Sequence, residues 1–187
     1  MKTGNWLVLA RTRFMLNDIE ESLYSQGLYY ENKFKTNKEH DLYKAINDWE
    51  NVRKGVGINY DQISRIASYM SPKHFEKNCL KYMDKDAVHD LAGLRERMWL
   101  KTDKVWYEAF DSAPQKKVRY IRRMRENGEK LNSTPRIILS TIHGVKGGEQ
   151  DNVVLLTDLS RNTLRNYELN PDDENRLFYV GATRTKS

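Results

Sequence analysis

Short runs of consecutive apolar residues constrain this chain more than any other feature. Residues 6–10 (WLVLA), 136–140 (RIILS) and 152–157 (NVVLLT) lack the strict polar alternation of a strand with one wet face. Runs of this length and texture fit strands buried on both sides, as in a parallel sheet covered by helices. After the first run, Leu16, Ile19 and Leu23 recur at helical spacing with Asp18, Glu20 and Glu21 on the other face. Gly27 stands where a helix cap is expected. Residues 29–34 supply a second strand, so the opening predicts β-α-β, the unit of a parallel α/β sheet.

From about residue 35 the texture changes. Leu42, Ile46 and Trp49 repeat at helical spacing before Gly55 and Gly57, and Ile63, Ile66 and Met70 do so before Ser71-Pro72. Further helices are expected over 73–82, 86–99 and 114–127, the last opening at Pro114 and closing at Asn127-Gly128. Residues 132–135 (NSTP) predict a linker. The strand-like runs then return around a turn-rich polar loop, 141–151. A final helix is expected over 173–182, introduced by Pro171-Asp172 and acidic in its first turn, with Leu177, Phe178 and Val180 as its buried face. The expected organisation is an α/β domain in two pieces, 1–34 and 135–187, interrupted by a helical insertion at 35–134.

Charge follows that division. The chain carries 32 Lys+Arg and 26 Asp+Glu over 187 residues, a net charge of +6. Residues 35–134 hold 21 Lys/Arg against 15 Asp/Glu, so the insertion carries the whole excess and the flanking pieces are neutral. Lys116, Lys117, Arg119, Arg122, Arg123 and Arg125 concentrate six cations within ten residues. Such a cluster attracts a polyanion, nucleic acid first among them; a solvated helix face beside Val118, Ile121 and Met124 is the competing reading. The 39% hydrophobic content, with 4 Trp, 11 Tyr and 5 Phe, excludes a mainly disordered chain. No run approaches the ~18 apolar residues of a membrane helix, so no membrane partner is expected. The single Cys79 permits no internal disulfide, which points to a reducing, intracellular location.

Two segments carry chemistry. In residues 140–149 (STIHGVKGGE) a strand ends in a hydroxyl, and a glycine-rich turn then presents Thr141, His143, Lys146 and Glu149. Ligands bind at the C-terminal ends of parallel strands, where loop side chains and backbone amides converge and glycine lets the backbone approach closely. Singly, His143 reads as a structural histidine and Glu149 as a surface acid; together, between two core strands, they predict a site. In residues 173–184 (DENRLFYVGATR) a helix delivers Arg184 at its end, and a guanidinium there suits a γ-phosphate.

In this order and spacing, the two segments resemble motifs V and VI of superfamily-1 DNA helicases of the UvrD/Rep/PcrA type. The opening residues 6–34 resemble the family segment in which a strand leads into an Arg-Thr-Asn turn, with Arg13 here replacing the usual Asn. Gly148 and Gln150 stand where a leucine and an aromatic are usual. The helical block matches by position, where the family carries an accessory subdomain in its second motor domain. The resemblance implies a RecA-like parallel sheet, ATP with Mg2+ as cofactor, and DNA, single-stranded and duplex, as partner. Carried over residue by residue, it implies that Glu149 bonds the nucleotide ribose and Arg184 acts as the catalytic arginine finger. It places Lys146 and Gly147 at the nucleotide, and Thr141, His143, Arg11 and Thr12 against single-stranded DNA; the charge cluster, and not the resemblance, adds Arg119, Arg122 and Arg123 as candidate DNA contacts. Lys146, three residues after His143, favours the 3′-to-5′ branch.

No GxxxxGK[ST] loop and no Asp-Glu pair after a suitable strand occurs in the sequence. The expectation is therefore the C-terminal motor half of a longer, monomeric helicase, which needs the first motor domain as partner and is inactive without it. The alternative is a non-catalytic module that binds nucleic acid or protein. No carboxylate-lysine nuclease cluster is visible, and His40, His74, His89 and Cys79 lack metal-ligand spacing.

Overall fold

The computed structural model describes residues 3–35, 40–97, 100–145 and 148–186. By packing, the chain divides into two compact units: Met1–Asn37 with Arg123–Ser187, and Lys38–Arg122.

The first unit is built on four parallel strands, β1 (Trp6–Ala10), β2 (Tyr30–Asn32), β3 (Ile137–Thr141) and β4 (Asn152–Leu155), in the order β2-β3-β1-β4. Trp6 pairs with Ile137 on one side and Asn152 on the other, so the N-terminal strand is clamped between two strands from the far end of the chain. Leu7, Val8, Leu9 and Ala10 are all at most 2% exposed, which is why the run shows no alternation. Val8, Ala10, Ile137 and Leu139 pack with Leu16 and with Leu23 of α1 (Asn17–Gln26). On the opposite face Leu7, Leu9, Val153 and Leu155 meet Ile142 and, from α8 (Pro171–Ala182), Leu177 and Phe178. The α/β expectation is met, with helices on both faces.

Local chemistry sets the boundaries. Gly27 closes α1 in the left-handed conformation, φ 68°, and Leu28 N donates to the Leu23 carbonyl at 3.0 Å across it. Strand β2 stops at Asn32, short of the expected residue 34, because the Asn32 side chain accepts from Phe34 N at 3.0 Å and turns the chain. The buried stripe of α8 runs Glu174, Leu177, Phe178, Gly181, spaced by three and four residues. Val180 lies off that stripe and is 37% exposed, contrary to expectation. Helix α7 (Arg161–Leu169), capped by the Ser160 hydroxyl, had no apolar periodicity to announce it; Leu164 and Leu169 are exposed. After α8, Gln150 N donates to Arg184 O at 3.1 Å and Lys186 N donates to Gln150 O at 3.0 Å, forming a parallel bridge between Gln150 and Thr185.

The second unit contains α2 (His40–Arg53), α3 (Tyr60–Ala67), α4 (Leu91–Arg97), the short α5 (Trp106–Ala109) and most of α6 (Gln115–Glu126). Leu42, Ile46, Trp49, Ile63 and Phe110 are buried in it, and Trp49 Nε1 donates to the Lys104 carbonyl at 3.0 Å. The helix expected over 73–82 is replaced by two 3-10 turns, Pro72–His74 and Cys79–Tyr82. Asn78 between them is left-handed, φ 63°, and Asp111 accepts from both the backbone and the hydroxyl of Ser71 at 2.8 Å. The helix expected over 86–99 begins only at Leu91, because His89 pairs antiparallel with Ile58. The seam between the units falls inside α6, upstream of residues 132–135. Among the described residues no helix is long and apolar enough to cross a membrane.

Candidate functional site

A parallel sheet obliges the link between β3 and β4 to travel back from the C-terminal edge to the N-terminal edge, roughly 15 Å at ~3.3 Å per residue. Residues 142–151 make that journey, so Thr141 and His143 stand at one edge while Glu149 arrives at the other. Helix α8 runs the same way, with Glu174 at the first edge and Arg184 at the second. The sequence argument put the whole loop at the strand C-terminal ends; only its first half is there. Lys146 and Gly147 lie outside the described residues.

At the C-terminal edge, Thr141 Oγ1 accepts from Gly144 N at 3.2 Å and caps the 3-10 turn Ile142–Gly144. Ile142 turns into the core and His143 is left exposed. Gly144 is exposed, but an added Cβ would sit 2.7 Å from Ser140 Oγ and 3.2 Å from Thr141 Oγ1. Across the Phe34 ring lies the exposed guanidinium of Arg13, 4.2 Å from its centroid. Arg11 is held in a two-pronged pair, Nε donating to Glu174 Oε2 at 2.7 Å and Nη2 to Oε1 at 2.8 Å. That pairing holds the Glu174 carboxyl below its ordinary value against the opposing effect of burial, with His143 adding attraction, and it raises Arg11. Among the described residues the Thr12 and Ser140 hydroxyls are buried without a hydrogen-bond partner.

Glu174 was missed by sequence reasoning, which saw only an acidic first turn. The signal was present: an acid three, four and seven residues ahead of Leu177, Phe178 and Gly181 lies on the buried stripe and requires a cation.

At the N-terminal edge, the isolated Gln150–Thr185 bridge makes Glu149 and Arg184, one residue back on each side, backbone neighbours. Glu149 is exposed; Arg184 is half-buried, with Nε buried and unpartnered among the described residues. Nearby, Asp151 accepts from Asn5 N at 2.8 Å and from Lys186 Nζ at 3.4 Å, which draws its carboxyl below the ordinary value.

On α6, Arg119, Arg122 and Arg123 are all exposed. Arg122 lies 4.7 Å over the Tyr107 ring. Arg123 donates to the Ser25 carbonyl, which ties α6 to the end of α1. Among the described residues no group of three or more His, Cys, Asp or Glu converges as a metal site. Burial pushes the Cys79 thiol up, away from nucleophile character.

No curated protein and no solved structure matches the chain. A family model described as the UvrD-like helicase C-terminal domain matches residues 10–187. The chain therefore belongs to the UvrD-like helicase C-terminal domain family, as a RecA-like α/β domain carrying a helical insertion.

Proposed function

We propose that this chain acts as the second motor half of an ATP-dependent DNA helicase or translocase of 3′-to-5′ polarity. In this reading the nucleotide lies between this domain and a P-loop-bearing first motor domain. The observation that carries it is the Gln150–Thr185 bridge, which makes Glu149 and Arg184 backbone neighbours, with Arg184 Nε buried and unpartnered among the described residues. These residues fit an ATP that is approached from one side: Glu149 bonds the ribose hydroxyls and Arg184 faces the γ-phosphate. Bound ATP supplies the phosphoryl group, and a positively charged fork is what its developing charge calls for. The described residues do not fit a magnesium site of their own, so no role in holding Mg2+ is assigned to them.

Thr141 and His143 contact single-stranded DNA at the opposite edge. The segment 141–149 and helix α8 each join the two edges, so DNA contact at one end and nucleotide contact at the other move together. Contacts of this kind go to backbone and stacked bases, and no sequence preference is expected. The lone Cys79 accords with a reducing compartment.

The test combines the chain with its P-loop partner domain. Arg184→Ala should lower DNA-stimulated ATP hydrolysis by about 10³-fold while nucleotide affinity falls much less. An unchanged hydrolysis rate removes Arg184 from the reaction. Measurable DNA-stimulated turnover by the 187-residue chain alone overturns the two-domain reading and leaves the non-catalytic module excluded as well.

A further inference from the structure

We infer that the cavity beside His89 in the second unit binds a small aliphatic polyamine, with His89 and three carboxylates taking up its ammonium groups. The residues that line it fall within 76–96, inside that one unit. The site therefore stands or falls independently of the motor reading above.

Local chemistry builds the cavity. Left-handed Asn78, φ 63°, turns the chain into the 3-10 turn Cys79–Tyr82. The bridge to Ile58 then fixes His89, whose N–H and carbonyl each bond Ile58 at 2.9 Å. Asp90 Oδ1 accepts from Gly93 N at 2.8 Å, and α4 brings Glu96 to the same cavity. The space measures about 680 Å³, the size of a small-molecule site. His89 is 3% exposed, and its Nε2 is buried with no hydrogen-bond partner among the described residues. Its Nδ1 is turned to α4, 4.0 Å from where a Cβ on Gly93 would stand, which leaves Nε2 to the cavity. A buried ring nitrogen without a partner is costly, and a ligand N–H relieves that cost.

The lining selects the ligand by charge. Glu76, Asp84 and Glu96 outnumber the one lining cation, Lys77, although this insertion carries the chain's whole positive excess. An anion is therefore opposed and a cation favoured. A bare metal ion does not fit, since no three of the described His, Cys, Asp or Glu residues converge. Glu76 is only loosely engaged, 3.5 Å from Lys101 Nζ with both side chains about half exposed. Met83 and the Tyr82 ring supply apolar wall. Tyr82 is 80% exposed and already draws Lys81 Nζ to 5.8 Å from its centroid, so its face accepts an ammonium. A linear polyamine matches these features together. Its N–H groups donate to the carboxylates and, with the histidine proton on Nδ1, to His89 Nε2, while its methylenes lie along the apolar wall.

The experiment is calorimetric titration of the full 187-residue chain, without DNA and at fixed salt. The probes are spermidine and, as a compact cation of equal charge, hexaamminecobalt(III). Spermidine should bind at a single site, at least about tenfold more tightly than the cobalt complex, which has no methylenes. Glu76→Gln with Glu96→Gln, both exposed, should lower spermidine affinity about tenfold. Glu168→Gln with Asp172→Asn removes the same charge from the first unit and should leave the affinity within about twofold. His89→Leu, checked for folding by circular dichroism, should lower affinity at least about fivefold. Should that variant not fold, the two acid pairs decide the matter. Equal binding of the two cations, or equal losses in the two acid pairs, reduces the effect to diffuse attraction and overturns the site. Full affinity in a folded His89→Leu also overturns it. Absence of spermidine binding does the same and leaves the motor reading untouched.

Discussion

Arg11 illustrates how a residue's meaning depends on a partner far away in the chain. Its place after a strand, in an Arg-Thr turn, suggested a DNA-backbone contact, and Glu174, 163 residues on, takes up the Nε and Nη2 edge of its guanidinium. The local spacing shows that Glu174 needs a cation but not that the cation is Arg11, whereas the Thr141 cap on Gly144 lies within four residues. The two partners are unequally wet: side-chain exposure is 25% for Arg11 and 10% for Glu174. Arg11→Ala strands a buried carboxylate and should cost about 3 kcal/mol, while Glu174→Gln loses the charge and one of the two accepted hydrogen bonds and should cost about 2 kcal/mol. The paired carboxyl sits below its ordinary value, so its contribution is present above about pH 4.5 and is lost as the pH falls through the folded-state value. Urea denaturation of wild type and Glu174→Gln should accordingly diverge at pH 7 and converge in acid. A gap that does not vary with pH would refute the ion pair's role.

Elements were legible where burial was uniform and obscure where it was not. The strands announced themselves through unbroken apolar runs, and α1 through its stripe and Gly27. Helix α7 had no such stripe, and the stretch 73–82 looked helical only because nothing local betrayed the left-handed Asn78. Gly27 supports the element argument quantitatively. Its φ is 68°, and an added Cβ would meet Arg123 C and Met124 N at 2.6 Å, backbone atoms that cannot swing aside. Gly55 has φ 86° with nothing within 4 Å. Alanine at Gly55 should cost roughly 1 kcal/mol from backbone strain alone. Alanine at Gly27 should cost at least about 2 kcal/mol more, from the clash between α1's cap and α6. Thermal unfolding of the two variants compares them directly, and equal losses would mean that α6 readily moves away from the cap.

For the molecule as a whole, the +6 net charge is attached to one region of sequence, and its cations are not equivalent. Arg119, Arg122 and Arg123 are all exposed on α6, with Arg122 over the Tyr107 ring and Arg123 donating to the Ser25 carbonyl. The double variant Arg119→Gln with Arg122→Gln should lower the slope of log affinity against log salt for duplex DNA by about 0.9 per cation. Arg123→Gln should instead lower thermal stability and leave that slope nearly unchanged. An unaltered slope in the double variant would assign the basic face to solvent. The family and the fold were readable in the sequence, but the separation of Thr141 from Glu149 to opposite edges became visible only once β3 was seen to end at Thr141 and β4 to begin at Asn152. The placement of β1 between β3 and β4 also sets the order in which this protein is born. A ribosome releases β1 before the entire second unit, yet both of its neighbours emerge only after it. During those seconds of synthesis Leu7, Val8 and Leu9 have no sheet to enter, while the second unit has its own core available. The nascent chain thus carries its most apolar strand unpaired until β3 follows the second unit.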